Sequence, residues 1–316
     1  METIITQSVR KAAHFIQQNE LVAFPTETVY GLGANIFSES ALKKIFIAKG
    51  RPSDNPLIVH IADLQQIELL AHNIPEYAQQ FITAFFPGAL TLVLPKRKNI
   101  SSVVSAGLST IGIRMPHHPI AEKFLHECGV PIAAPSANLS GKPSPTTWQA
   151  VQYDLFGRIS CILKGKQSRV GLESTVVDCT EATPLILRAG AITIDELRKI
   201  VSSIHFASKH AKANLKSPGT RYRHYSPRAT IVIVDSLLDV KKENAGYIGL
   251  KTGLKEKSKT TAMQKICGSI EEYAHSLFAF FRACDQEGVS TIYCQRVDER
   301  GLGIAVMDRI TRAATK

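Results

Sequence analysis

The sequence predicts an α/β protein built as two unequal units, a larger mixed one followed by a smaller parallel one. Short apolar runs of strand character recur between stretches of helical spacing along most of the chain. Over residues 1–200 they do not alternate strictly, which argues for a twisted mixed sheet with helices. Over residues 201–228 the periodicity lapses into Ser, Lys, His, Asn, Pro and Gly, as in a linker. Over residues 229–316 strands and helices alternate again, as in a small Rossmann-like parallel sheet. That second unit has no GxGxxG turn. Gly301-Leu302-Gly303 is too short and too late to serve as one, so no dinucleotide is assigned there.

Within the first unit, Val9, Ala12, Ala13 and Ile16 share one helical face. Leu21–Phe24 reads as a strand stopped by Pro25, followed by a loop from Thr26 to Gly33. Ala41, Leu42, Ile45 and Phe46 mark a helix that delivers Lys49 and Arg51 at its C-terminal end. Leu57–Ile61 is a strand, and Ile74, Ala78, Phe81, Ile82 and Phe85 line a helix ended by Pro87-Gly88. Strands are expected at 91–94, 111–115 and 132–134, with a helix opening at Pro119 before the last of these. Shorter β runs follow at 161–163, 174–178 and 185–187, and Thr193-Ile194-Asp195-Glu196 is a capping box for a further helix. In the second unit strands are expected at 231–234, 247–250 and 291–294. Ser269 caps a helix with Ile270, Ala274, Leu277, Phe278 and Phe281 on its face, and Ile304, Met307 and Ile310 line a last helix.

The composition fits a globular protein: 44% hydrophobic and 21% charged over 316 residues, enough for two cores. The net charge of +11 points to anionic partners, either nucleotide phosphates or nucleic acid. No basic run with interleaved aromatics marks an RNA-reading surface. The six cysteines form no CxxC pair, which argues against zinc and for a reducing compartment. Residues 1–10 carry no leader pattern, and no stretch approaches the roughly 18 apolar residues of a membrane span. The expectation is a cytoplasmic protein without a membrane partner.

Three polar islands and the linker carry the chemistry. Lys49-Gly50-Arg51-Pro52-Ser53-Asp54-Asn55 places two cations on a glycine hinge before a buried strand. It is either a basic surface turn or a phosphate site, where a mobile ammonium and a rigid guanidinium fork hold a polyphosphate together. Ser136 and Asn138 close a short strand, where ligands bind in open α/β sheets, although Ser and Asn also form ordinary turns. Glu173-Ser174-Thr175 opens another strand, and Arg188 leaves the one after it, where an arginine is usually at the surface. His60 lies inside a β run, as a satisfied core histidine or a functional one. The linker ends in Ser217-Pro218-Gly219-Thr220-Arg221-Tyr222-Arg223-His224-Tyr225-Ser226-Pro227, richer in rings and cations than a spacer needs. No HExxH, no GxxxxGK[ST] and no serine nucleophile with a nearby histidine is present. Cations, hydroxyls and amides without a nucleophile suit catalysis by positioning and charge neutralisation at a nucleotide phosphate.

In this order, Pro25–Leu32, Lys49-Gly50-Arg51-Pro52, Ser136-Ala137-Asn138 and 217–227 resemble the YrdC/Sua5 family, whose signature is the KxR…SxN pair. The resemblance covers nearly the whole chain and includes a C-terminal domain of the long Sua5 type, with Asp308 where Asn is more usual. It implies a nucleotidyltransferase that joins L-threonine, bicarbonate and ATP into threonylcarbamoyl-adenylate and pyrophosphate. The product would pass to the machinery that forms t6A at tRNA position 37, with at most a weak direct contact to tRNA. By position the resemblance assigns Thr28, His60, Arg114 and Ser174 to threonine. It assigns Lys49, Arg51, Asn55, Thr110, Ser136, Asn138, Ser144 and Arg188 to ATP, with Lys49 and Arg51 catalytic and Mg2+ carried mainly by the phosphates. Arg221, Tyr222 and Tyr225 would fold over the pocket as a lid, Tyr225 touching ATP. Two other readings compete with the synthase. One is a non-catalytic YrdC-like RNA-binding protein. The other, a carbamoyl transferase of hydrogenase maturation, would bring zinc-finger cysteines that this sequence lacks.

Overall fold

A computed structural model describes residues 2–208, 216–217, 224–241, 243–251 and 261–315. The first unit runs β1 (Ile4–Thr6), α1 (Val9–Gln17), β2 (Val22–Phe24), β3 (Gly31–Asn35), α2 (Glu39–Lys49), β4 (Ile58–His60), α3 (Gln66–Leu70) and α4 (Glu76–Phe85). It continues through β5 (Leu90–Pro95), α5 (Ser102–Ser105), β6 (Thr110–Arg114), α6 (Pro119–Cys128), β7 (Ile132–Ala133), α7 (Trp148–Leu155) and β8 (Cys161–Leu163). It closes with β9 (Thr175–Asp178), β10 (Leu185–Arg188), α8 (Ile194–Arg198) and β11 (His205–Phe206). The second unit contains β12 (Thr230–Val234), β13 (Ala245–Leu250), β14 (Thr261–Cys267), α9 (Ile270–Gln286), β15 (Thr291–Gln295) and α10 (Leu302–Ala314).

The strands make two sheets. The larger has the order β1-β8-β2-β3-β7-β4-β6-β5-β9-β10-β11 and mixes parallel with antiparallel pairs, as expected from the irregular alternation. The smaller, β12-β15-β13-β14, is parallel throughout. The two sheets do not have wholly separate cores. Val29, Leu172 and Tyr225 share a buried cluster with Ile248, Phe278 and Met307, so apolar surface continues across the seam.

Local sequence explains how the site residues are delivered. Ser38 caps α2 by accepting from the Ala41 amide, and Gly50 ends it in the left-handed region at φ 59°. That stop turns the chain sharply, so that Lys49 ends the helix and Arg51 starts the loop. His118 caps α6, and Pro119 occupies its first turn, where no amide hydrogen is needed. All six cysteines are buried and free, packing as small apolar residues.

The structure corrects several local expectations. The segment expected as loop up to Gly33 contains the start of β3. Its glycines serve close packing: a Cβ on Gly33 would meet the Ile132 side chain at 2.8 Å. The stretch expected as linker contains β11, which pairs in parallel with β10. Arg188 is buried inside β10 rather than exposed at its exit. β1, α7 and β14 carried no clear sequence signal; β1 and β14 are part-exposed strands at sheet edges, where alternation is weak. Among the described residues no helix is long and apolar enough to cross a membrane.

Candidate active site

The centre of the site is the parallel pair β4 and β6, in which His60 stands opposite Arg114. These two mark the C-terminal ends of the strands. Continuing the register backwards brings Thr110 beside Pro56 at the opposite ends, roughly 13 Å away at strand rise. One strand pair therefore presents two chemically different ends. A cavity of about 60 Å³ lies there, lined by Thr28, Arg51, Pro56, His60, Arg114, Ser136, Ser174, Arg188, His224 and Tyr225 among others.

At the strand-exit end, Arg114 Nη1 donates to Thr28 Oγ1 at 2.8 Å, and Nη2 lies 2.7 Å from Glu27 Oε2. Both ion-pair partners are buried. The Glu27–Arg114 contact is close but poorly aligned, so Arg114 Nη2 keeps hydrogen-bonding capacity. Although burial opposes it, Arg114 holds the Glu27 carboxyl below its ordinary value. His60 is buried edge-on against Phe24, and burial, reinforced by the Arg114 charge, pulls its pKa down to about 3. The imidazole is therefore neutral, and its Nδ1 has no hydrogen-bond partner among the described residues. Ser174 Oγ shares a hydrogen bond with Thr91 at 2.8 Å and receives one from Arg188 at 3.2 Å.

At the opposite end the two signature motifs meet. Lys49 Nζ donates to the carbonyl oxygens of Ser136 and Asn138, and Ser136 Oγ donates to Asn138 Oδ1 at 2.5 Å. Asn138 Nδ2 in turn holds the carbonyls of Leu139 and Lys142. Burial, with the nearby Arg51 charge, keeps the Lys49 ammonium well below its ordinary pKa, against the pull of Asp154. Arg51 donates to the carbonyls of Asn55 and Pro56, and burial lowers it to about 10, so it is cationic at neutral pH. Lys49, Asn55, Thr110, Asn138 and Ser144 do not line the cavity, whereas Arg51, Ser136 and Arg188 do. Of the linker residues, Tyr225 is buried, at φ 65°, and stacks on Phe278 at 5.3 Å between centroids. Arg221 and Tyr222 lie outside the described residues.

Other site residues were not assigned from the sequence. Glu27 and Glu173 lie within quoted motifs, and only folding shows which arginines they meet. His224 lines the pocket, with burial lowering its pKa to about 4. The buried polar atoms Arg51 Nε, His60 Nδ1, Arg114 Nη2 and His224 Nε2, all on pocket-lining residues, lack aligned partners among the described residues. Such atoms are rare in folded proteins, and their convergence on one cavity marks a ligand site. Among the described residues no three His, Cys, Asp or Glu side chains gather as a metal site. The carboxylates nearest the pocket, Glu27 and Glu173, are each engaged by an arginine.

Residues 14–190 match the family model for Sua5, YciO and YrdC proteins, described as telomere recombination. Residues 192–315 match the model of the threonylcarbamoyl-AMP synthase C-terminal domain. The chain belongs to the Sua5/YrdC family. It is 45% identical to the threonylcarbamoyl-AMP synthase of Pyrococcus abyssi over 99% of its own length and 96% of that protein. Its identity to the synthase of Bacillus subtilis is 44%, over 97% and 92% of the two chains. It also superposes on the crystal structure of P. abyssi Sua5 complexed with L-threonine, with TM-score 0.87 and 42% identity over 99% and 97% of the two chains.

Proposed function

We propose that this chain is a threonylcarbamoyl-AMP synthase, which uses L-threonine, bicarbonate and ATP and releases pyrophosphate. The observation that carries this reading is one pocket with two distinct ends. A carboxylate-binding guanidinium and a neutral histidine stand at one end, and the KxR and SxN motifs at the other. In this reading Arg114 takes the threonine carboxylate, for which its fork is well shaped. Thr28 and Ser174 offer hydroxyls, and His60 offers its unspent Nδ1. ATP lies along Arg51, Ser136 and Arg188, with Asn55, Thr110, Asn138 and Ser144 shaping the wall behind them.

The threonine amine adds to carbon dioxide derived from bicarbonate, forming a carbamate and releasing a proton. A carbamate oxygen attacks the α-phosphorus, and the bond to the bridging oxygen of pyrophosphate breaks. Negative charge grows on the departing phosphates. Arg51 and Arg188 face it directly, and Lys49 holds the Ser136–Asn138 backbone in place. Arrival of phosphate charge also raises the Lys49 pKa, drawing a full positive charge to the site. Mg2+ belongs to this scheme as the ion carried on the ATP phosphates, where it adds charge neutralisation. A cavity of about 60 Å³ has room for about two water molecules, whereas nucleotide-sized ligands need several hundred. His224 and Tyr225 must therefore withdraw to admit ATP, and their return shields a hydrolysable adenylate from water. The adenylate is then consumed in forming t6A on tRNA.

The test is incubation of the protein with ATP, Mg2+, bicarbonate and L-threonine. Threonylcarbamoyl-adenylate and pyrophosphate are expected in equal amounts. Pyrophosphate no higher than in a threonine-free control would overturn the assignment.

A further inference from the structure

A second cavity, of about 680 Å³, opens on the seam between the two units. Lys142 and Tyr153 line it from the first unit, Arg228 from the end of the linker, and Arg282 and Asp285 from α9. It shares no lining residue with the candidate active site. The Ser226 amide donates to the Gly141 carbonyl at 2.8 Å, tying the linker to the first unit where both line this cavity. Two carboxylates meet three cations here, and both carboxylates are engaged. Asp154, buried on α7, accepts from Lys142 Nζ at 3.1 Å and from Arg282 Nη2 at 2.7 Å. Asp285 accepts from the backbone amides of Arg228 and Ala229, at 2.8 and 3.3 Å. The arginines keep donors in hand. Arg282 bonds through Nη2 alone, to Asp154 and the Pro143 carbonyl, and its buried Nε has no partner among the described residues. Arg228 donates through one Nη to the Asp285 carbonyl, covering the C-terminal end of α9, and forms no ion pair among the described residues. Tyr153 is 62% exposed, and Lys142 Nζ stands 5.3 Å from its ring centroid.

We propose that the seam cavity binds a free nucleoside diphosphate at a site separate from the reaction, with Arg228 and Arg282 on the phosphates and the Tyr153 ring on the base. Its volume falls inside the range of small-molecule sites, roughly 300–1,000 Å³. Guanidinium groups with donors in hand match phosphate oxygens, and the ammonium of Lys142 adds charge beside them. An exposed ring suits a base, since every base has a π-face. Three cations and one ring converge on a single concavity, as one nucleotide requires, whereas a nucleic-acid strand is held by charge that tracks its backbone along a groove. The site goes beyond the catalytic reading and does not depend on it.

The experiment is equilibrium dialysis of the full chain against labelled ADP, without Mg2+ or threonine, for wild type, Arg228→Gln and Tyr153→Ser. Each variant is expected to bind one ADP fewer per chain than wild type at the same ADP concentration. Its affinity at the seam should fall roughly 10-fold or more, the size of one charge-assisted phosphate contact or one stacked base. Both side chains are exposed and lie outside the catalytic pocket, so kcat and the KM values for ATP and threonine should stay within about 2-fold of wild type. ADP binding undiminished in both variants overturns the proposal. Loss in Arg228→Gln but not in Tyr153→Ser, with inorganic pyrophosphate competing as well as ADP, would show a site for phosphate alone and overturn the nucleotide class. A raised ATP KM in the two variants would make the cavity part of the active site and overturn a separate one. A decauridylate that binds roughly 10-fold tighter than ADP and is lost in the same variants would make the seam a nucleic-acid surface, which also overturns it. If Arg228→Gln does not fold, Tyr153→Ser decides alone: ADP binding equal to wild type sinks the proposal.

Discussion

Lys49 Nζ lies 2.5 Å from the carbonyl oxygen of Asn138, joining motifs that stand 89 residues apart in the chain. The lysine thus acts first on protein backbone, holding the Ser136–Asn138 loop against the C-terminus of α2. Replacing Lys49 by Ala removes that tie and a charge beside the phosphates. Threonine-dependent pyrophosphate release should fall ~100-fold or more, the size of one strong electrostatic contribution. Circular dichroism should show a folded protein. Turnover within a few-fold of wild type would remove Lys49 from the machinery.

Arg114 is held between Thr28 and Glu27, so its fork is aimed before any ligand arrives. Lysine in its place keeps the charge but loses the second donor and the planar fit. Arg114→Lys should raise the threonine KM roughly 10-fold or more and change the ATP KM little. Glu27→Gln leaves a buried guanidinium without its counter-charge and should lower stability by about 3–5 kcal/mol, read by urea denaturation. Equal effects on both substrates in Arg114→Lys would contradict the division of the pocket.

Tyr225 is buried over the pocket and stacks on Phe278. Tyr225→Ala should open a route for water without touching Arg114 or His60. The expected signature is continued pyrophosphate release with a lower yield of intact adenylate, since the product hydrolyses as it forms. Chromatographic measurement of both products distinguishes this from simple loss of activity, in which they fall in proportion.

His60 is buried and His224 half-buried, and both are neutral, with pKa values of about 3 and about 4. Unfolded histidines bind protons below about pH 6.5, whereas these two stay neutral in the fold until far lower. The unfolded state therefore takes up more protons over that window, and stability declines as pH falls from about 6.5 towards 4. Each histidine contributes up to about 1.4 kcal/mol per pH unit there. His60→Gln should flatten the profile of urea midpoint against pH over this range. Parallel profiles for variant and wild type would show that His60 does not titrate as its burial requires.

Gly33 lacks room for a side chain, since a Cβ there would press on Ile132 and Phe24. Gly33→Ala should destabilise the first unit by about 1–3 kcal/mol, the usual cost of overpacking a core. A thermal midpoint equal to that of wild type would show that β3 and β7 can part without cost.

Much of this architecture is written in local pattern. The helices α1, α2, α4, α6, α8, α9 and α10 follow apolar spacing and caps, because burial of one helical face is decided by residues three and four apart. The motifs at 25–32, 49–52 and 136–138 were legible for a similar reason: hydroxyls, cations and glycines in short order are poor core material. Short edge strands such as β1 and β11 were not legible, since two or three residues carry no usable period. Gly31 and Gly33 read as loop in the sequence although they belong to β3, because glycine's lack of a side chain signals a turn and a tight packing contact alike.

The fold class and the two-unit plan followed from residue type and spacing, and the family and the candidate residues at both ends of the pocket from the resemblance that the motifs carry. Partnership did not. That Glu27 meets Arg114, that Glu173 meets Arg309 across the seam, and that Arg188 is buried rather than exposed depend on which strands become neighbours. Charge acts through space with a strength set by distance and burial, and neither quantity exists along a chain until the sheet order and the packing of α10 supply it.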